Sequence, residues 1–414
     1  MRIKGSPPPP PPATSSPAAE AMAAGPVGLS KESESGWSVA RHALGAAVLD
    51  VAARVGQASG VPQLLSRVKD RLEAPSEREQ ALVHLAKQVD SLTVPQRAQL
   101  LTALESADAG KAGAAAAQQV LLATHGRDLT ALKNQVDAGA DLQTLEKLVF
   151  EVLSPEQRSS VLAHFAREAV PTGEVKLLSD IDDTIYASVN DPRFRKGTEY
   201  PGVRAFYRAL DQGPRGAPEG DLVFLTARPE REASPTFAQL SKLGFAGSSV
   251  MTGGLATYLR RMLVPFDRER WAYGGMGAQK VKNFERHQAL FPEYRYAFVG
   301  DNGQGDVLAG RGMAATRPDR IAGVFIHQVA PRTDAQDDGI TYFQTYVGAA
   351  RAALAQGLIS PQGAATVAQD VLGSLDSLAF GSPEAEAGFR AQVAADVQAL
   401  DAQLSATASP SARP

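Results

Sequence analysis

Carboxylates crowd the end of one apolar run. In the stretch from Glu174 to Tyr186, EVKLLSDIDDTIY, the apolar residues Val175, Leu177 and Leu178 give way to Asp180, Ile181, Asp182, Asp183 and Thr184. This is the pattern of a buried strand reaching the rim of its sheet. Acids placed there repel one another and lose solvation unless a cation or a positive side chain compensates them. Side chains alternate along extended backbone, so Asp180 and Asp182 project to one side and Ile181 and Asp183 to the other, with Asp183 read as an outward-facing loop residue. Two carboxylates at i and i+2, at the carboxyl end of a strand where open α/β sheets place their ligands, suit a metal ion and a nucleophile. A calcium loop of the EF type is excluded: it requires Gly at position six and Glu at position twelve, and counted from Asp180 those places hold Ile185 and Asp191.

Other segments bring suitable residue types to the same kind of place. Asp221 to Thr226 (DLVFLT) reads as a strand with a hydroxyl at its carboxyl end, which can bind a phosphate oxygen or equally cap the next element; Arg228 adds a positive charge beside it. Gln279 to Leu290 reads as a helix leading into a strand at Tyr296–Val299. That strand runs out into Gly300-Asp301-Asn302-Gly303-Gln304-Gly305-Asp306, two more carboxylates among glycines that permit close backbone approach. His327, at the end of a strand Val324–Ile326, reads as a solvated strand-end residue.

The elements needed to position these groups follow from the change of period at Lys176. Strand, helix and strand then alternate, with a helix expected at Pro201–Leu210, and this implies an α/β fold: a Rossmann-like parallel sheet with helices on both faces. An all-α region precedes it and C-terminal helices follow. We divide the chain at 1–35 (a disordered Pro/Ala-rich tail), 36–170 (helical), 171–335 (the sheet-bearing domain), 336–405 (helical from Tyr342, with starts at Ser360-Pro361 and Ser382-Pro383) and 406–414 (a frayed end). Within 36–170, Val39, Ala43, Leu44, Ala47, Val48, Val51 and Val55 recur at helical spacing. Leu92–Leu101 (LTVPQRAQLL) and Leu153–Leu162 (LSPEQRSSVL) look like copies of one unit, each beginning a helix with a capping box, Thr93 with Gln96 and Ser154 with Gln157. Such a repeat suggests stacked helical hairpins, a docking or packing module. His84, His125 and His164 lie there without metal-ligand spacing.

Composition removes several classes of chemistry. The chain has 414 residues, enough for two or three domains, and no cysteine, so disulfides, thiolate zinc sites and cysteine nucleophiles are excluded. A net charge of −3 gives no global attraction to nucleic acid, which is not expected as a partner. No run approaches the ~18 apolar residues of a membrane span, and Pro7 to Pro12 stand where a secretory signal would be apolar, so the expected location is cytoplasmic, with peripheral membrane contact open.

Taken together and in order, DxDxT at Asp180–Thr184, the strand to Thr226, a lysine before the next strand, and GD with a second Asp at Asp301 and Asp306 resemble the haloacid dehalogenase-like phosphohydrolase superfamily. More narrowly, SDIDDTI, the YPGV at Tyr200–Val203 and FVGDNGQGD at Phe298–Asp306 resemble the catalytic domain of the actin-patch-associated phosphatidate phosphatases. The resemblance spans about Glu174–Pro331, with Gln279 where that family carries a histidine. It implies Asp180 as nucleophile and Asp182 as general acid and base. It also implies Thr226 and Lys280 as phosphoryl stabilisers, with Lys282 as the rival lysine, and Thr184 and Arg228 near the substrate. A magnesium ion would be held by Asp180, Asp182 through its carbonyl, Asp301 and Asp306. About 40 residues separate Thr184 from Thr226 and about 50 separate Thr226 from Lys280, too few for a large lid, so an open site for bulky or surface-presented phosphates is expected.

The resulting expectation is a Mg2+-dependent phosphomonoester hydrolase acting through an aspartyl-phosphate, with phosphatidate, a membrane lipid, as the first substrate to test. The alternatives are a scaffold with an inactive phosphatase-like domain and a phosphatase of a soluble or protein phosphomonoester. A protein partner is open for the helical region and for the Pro-rich tail.

Overall fold

The computed structural model describes residues 82–106, 110–138, 144–216, 222–229, 240, 249–253, 273–331 and 339–408; the side chains of 106, 138, 226–229, 249–253, 273–274 and 407–408 lie outside that description. The Pro-rich segment 1–35, the helical spacing from Val39 to Val55 and the end of the chain beyond Ala408 are also outside it. All described residues belong to one unit, Val48–Pro414.

After a helical stretch at 82–86 and a 3-10 turn at Val89–Ser91 come α1 (Val94–Ser106), α2 (Gly110–Leu122), α3 (Gly126–Ala138), α4 (Thr144–Lys147) and α5 (Pro155–Glu168), with one π-helical turn at Leu148–Val152 before the last. Each of the two similar decapeptides starts a helix. Ser154 caps α5 by accepting from the Gln157 amide, Gln157 Oε1 accepts from the Ser154 amide at 3.0 Å, and Pro155 occupies the first turn, where its missing N–H costs nothing. At α1 the reciprocal half is made: Gln96 Oε1 accepts from the Thr93 amide at 2.8 Å. Leu92 and Leu153, which enter the two helices, are both buried.

Six strands follow: β1 (Val175–Ser179), β2 (Leu222–Pro229), β3 (Ser249–Gly253), β4 (Arg295–Asp301), β5 (Ile321–His327) and β6 (Thr341–Phe343). They form one sheet in the order β3-β2-β1-β4-β5-β6, parallel at every pairing. Between and after them lie α6 (Val203–Gln212), α7 (Tyr273–Leu290), α8 (Asp306–Thr316), α9 (Tyr346–Ala355), α10 (Pro361–Ser374) and α11 (Pro383–Ala408). The α/β reading holds, with three differences. β2 runs on to Pro229, so Thr226 and Arg228 lie within the strand, where its register to β3 shifts after Leu225. Tyr342 lies in β6; the helix begins at Tyr346, capped by Thr345 Oγ1, which accepts from the Gly348 amide at 3.1 Å. α11 continues to Ala408, past the expected fray at Ser405.

Alternation along the strands sends side chains into two apolar layers. Leu178, Val223, Leu225, Phe298, Val324 and Ile326 face a layer containing Phe284 and Phe291, and the same layer runs on through Leu101, Leu132 and Phe165 of the preceding helices. Leu177, Phe224, Ala297, Val299 and Phe325 face the opposite layer, with Phe206, Tyr346, Val347, Val367 and Val393. The helical region is therefore joined to the sheet by a common core. Polar links cross it as well: the Lys133 ammonium, 1 % exposed, pairs with Glu293 at 2.8 Å and donates to the Leu290 carbonyl at 2.7 Å, Asn134 Nδ2 donates to Tyr294 OH at 2.7 Å, and Arg286 pairs with Glu146 at 3.1 Å. Burial pushes Lys133 down to about 8, and the Glu293 charge opposes that shift.

Candidate active site

The order of the strands reverses between β1 and β4, and at such a switch point the carboxyl ends of neighbouring strands open a crevice, because their connections leave in opposite directions. Asp180 follows β1 there, its amide donating to the Val299 carbonyl of β4 at 2.9 Å, and Asp301 closes β4. Asp306 opens α8, and Lys280 reaches in from α7. All four are buried, with Asp301 and Asp306 at 0 % and Lys280 at 3 % exposure, an arrangement that only mutual compensation allows. The ammonium of Lys280 donates to Asp180 Oδ1 at 2.6 Å and also to Asp306 Oδ1. Lys282, the rival, is on the exposed side of the helix, as a spacing of two on a helix requires.

One ammonium does not balance three carboxylates. Oxygens of Asp180, Asp301 and Asp306 all lie within 4.8 Å of one another, and Asp301 Oδ2 is buried with no hydrogen-bond partner. Burial pushes the Asp180 carboxyl up to about 7, with the Asp306 and Asp182 charges adding to the effect and Lys280 opposing it. Burial and the same neighbours drive Asp301 well above the ordinary carboxylate range. Burial alone would lower Lys280, but the Asp180 and Asp306 charges outweigh it and hold the ammonium above the usual lysine range. A net negative, hard-oxygen cluster with an orphaned carboxylate oxygen fits a hard divalent cation.

Glycines let these groups approach. A Cβ at Gly300 would stand 2.6 Å from Asp306, and one at Gly303 would stand 2.6 Å from Asn190. Asp301 Oδ1 accepts from the Gly303 amide at 2.6 Å, and Asp306 Oδ2 accepts from the Asp301 amide at 3.2 Å, so the two acids are oriented by the loop between them.

Asp182 is half-buried and stands outside the converging trio; its Oδ1 accepts from Ser188 Oγ at 3.0 Å. Thr184 is fully buried, with its carbonyl accepting from Tyr346 OH at 2.6 Å and its hydroxyl without a partner. Thr226 and Arg228 are placed on β2 by backbone only. Two expectations are overturned. Asp183 is not an outward loop residue: it is 0 % exposed, has a φ of 58°, and its carboxylate accepts from the amides of Ser188, Val189 and Asn190 and from Asn190 Nδ2. Its left-handed backbone turns the side chain inward, which strand alternation alone does not anticipate. His327 is not solvated: it is 1 % exposed, its Nδ1–H donates to the Asp183 carbonyl at 3.2 Å, and its Nε2 accepts from Arg193 at 3.0 Å. Arg193 is fixed in turn by Asp191, which also accepts from Tyr200 OH at 2.9 Å. Burial, reinforced by the Arg193 charge, pushes His327 down to about 3.

A second convergence, His125, His164 and Glu168, does not offer a metal site. His164 Nε2–H donates to the Thr124 carbonyl at 2.9 Å and Nδ1 accepts from Arg167 at 2.8 Å, so both ring nitrogens are used.

A parallel Rossmann-like sheet with aspartates at the ends of its two central strands and a buried lysine between them is an arrangement suited to phosphoryl transfer. Residues 175–328, under half of the chain, match the family model described as phosphatidate phosphatase APP1, catalytic domain, which bears out the resemblance drawn from the residues and makes the chain a phosphoric monoester hydrolase. No curated protein and no solved structure matches the chain.

Proposed function

We propose that the chain is a Mg2+-dependent phosphatidate phosphatase working through an aspartyl-phosphate on Asp180. The observation that carries this reading is the buried contact of Lys280 with both Asp180 and Asp306, inside a carboxylate cluster that still lacks positive charge. Asp180, Asp301 and Asp306 would hold the ion, which when bound neutralises phosphoryl charge and keeps Asp180 ionised. An Asp180 oxygen attacks phosphorus as the bond from phosphorus to the leaving oxygen breaks, and Asp182 gives that oxygen its proton. Asp182, now a carboxylate, takes a proton from the water that attacks the aspartyl-phosphate, releasing phosphate and restoring Asp180. Lys280 keeps Asp180 aimed and stabilises the charge that develops on the transferring group. Thr226 and Arg228 are assigned to the phosphoryl oxygens by their place in the motif order, and Thr184 to shaping the substrate end of the loop.

The test is phosphate release from phosphatidate in mixed micelles, with Mg2+ or EDTA, beside soluble phosphomonoesters. Mg2+-dependent release from the lipid supports the reading. Release from soluble esters alone keeps the chemistry and discards the lipid substrate.

A further inference from the structure

The loop after Asp182 is fastened in a way the reaction just described does not use. Asp183 sits in a left-handed conformation, the only non-glycine among the described residues with positive φ, a strained conformation that persists where surrounding contacts over-determine it. Those contacts are specific. Its Oδ1 accepts from the Ser188 amide at 2.7 Å and the Val189 amide at 3.0 Å; its Oδ2 accepts from the Asn190 amide at 2.8 Å and Asn190 Nδ2 at 3.0 Å. The carboxylate thus gathers three successive backbone amides, and its own carbonyl is held from the far side by His327. The gathered segment touches the site twice. Ser188 Oγ–H donates to Asp182 Oδ1 at 3.0 Å, and the Asn190 side chain lies against Gly303, whose amide orients Asp301.

We propose that Ser188, held in place by the Asp183 carboxylate, is a positioning residue that sets which oxygen of Asp182 carries the catalytic proton. This rests on the reading of Asp182 as general acid. A hydroxyl that donates to Oδ1 makes Oδ1 the acceptor oxygen, so the acid proton belongs on Oδ2. The Oδ2–H proton goes to the leaving oxygen as its bond to phosphorus breaks, and the same Oδ2 takes a proton from the attacking water in the second step. Through both steps the Ser188 hydrogen bond stays on Oδ1, fixing the carboxyl plane. Its loss removes one of the contacts that hold the carboxyl and lets the proton be misdirected.

A misdirected acid harms poor leaving groups more than good ones, because only a basic alkoxide needs its proton at the moment of departure. The experiment compares kcat/KM, which reports phosphoryl transfer to the enzyme, for an alkyl phosphomonoester (dioctanoyl phosphatidate) and for p-nitrophenyl phosphate. These are measured in the full-length wild type, Ser188→Ala and Ser188→Thr. In Ser188→Ala the aryl-to-alkyl ratio is expected to rise about tenfold over wild type, a fraction of the ~10²–10⁴-fold that general acid catalysis supplies. Ser188→Thr, which keeps the hydroxyl, is expected to return the ratio to within about twofold of wild type. Equal losses on both substrates in Ser188→Ala, or no change in the ratio, would overturn the proposal, since a merely structural role lowers both rates together. Should Ser188→Ala not fold, Asp183→Asn, which keeps acceptor capacity at Oδ1 while weakening the clamp, is expected to raise the ratio in the same direction, and an unchanged ratio there counts equally against the proposal. Wild type inactive on both esters would refute the phosphatase reading itself, a result distinguishable from a failure of the Ser188 assignment.

Discussion

At the scale of single residues, roles divide by burial. Lys280 and Lys282 are two apart in sequence, yet one is enclosed by carboxylates and the other faces solvent. Lys280→Gln is expected to lower kcat/KM by about 100-fold or more, a loss of the size seen when one stabilising donor is removed from developing charge, whereas Lys282→Gln should stay near wild type; steady-state assays of both variants check this. His327 carries a pH signature. Its folded value is depressed to about 3 from an ordinary value near 6.5, so the stability it lends is present above 6.5 and is lost as pH falls from 6.5 towards 3, on the order of 1 kcal/mol per pH unit over that window. Urea unfolding of wild type and His327→Asn between pH 7 and 4 should therefore show a gap that narrows on acidification. The acids were legible in the sequence because a carboxylate at a strand end is costly unless used, whereas Lys280 was preferred to Lys282 only through the family resemblance. Asp183 and His327 were not, since their burial depends on a left-handed turn and on Arg193, neither of which leaves a periodic trace.

Elements bring these residues to one place through local rules that leave a record in the chain. The capping box at Ser154, the proline-started helices at Pro155 and Pro361, and the apolar runs of β1 and β4 follow from cap chemistry and from period, and they form as read. Replacing Ser154 with alanine should cost about 1 kcal/mol, measured by denaturant unfolding, with activity little changed. The close approach of β4 to α8 is less forgiving. A Cβ at Gly300 would meet Asp306 at 2.6 Å, so Gly300→Ala is expected to displace that carboxylate and lower kcat more than stability; a variant with normal turnover would show that Asp306 has room to move. β3 and β6 escaped the sequence reading because each is a short edge strand with little pattern of its own, and their places follow from pairing with β2 and β5. The extension of β2 past Thr226 has the same origin, since its last residues pair across a register shift that no periodicity encodes.

In the molecule as a whole, the helices before the sheet read as a candidate docking module, and the structure shows them contributing to a core shared with β1, β2, β4 and β5. Among the described residues no helix is long and apolar enough to cross a membrane. Breaking the buried Lys133 pair by Lys133→Met leaves Glu293 uncompensated and should cost about 3–5 kcal/mol, with the helices and the sheet still unfolding in one transition by circular dichroism; two separated transitions would mean that the common core does not couple them. The central claim, that Asp180 is the nucleophile that accepts the phosphoryl group, is tested most directly by quenching the enzyme in acid during turnover of a ³²P-labelled phosphomonoester and mapping the label. The expected result is a hydroxylamine-labile phosphoryl group on the peptide containing Asp180, absent from Asp180→Asn. Turnover with no covalent label, or a label on another residue, would contradict it.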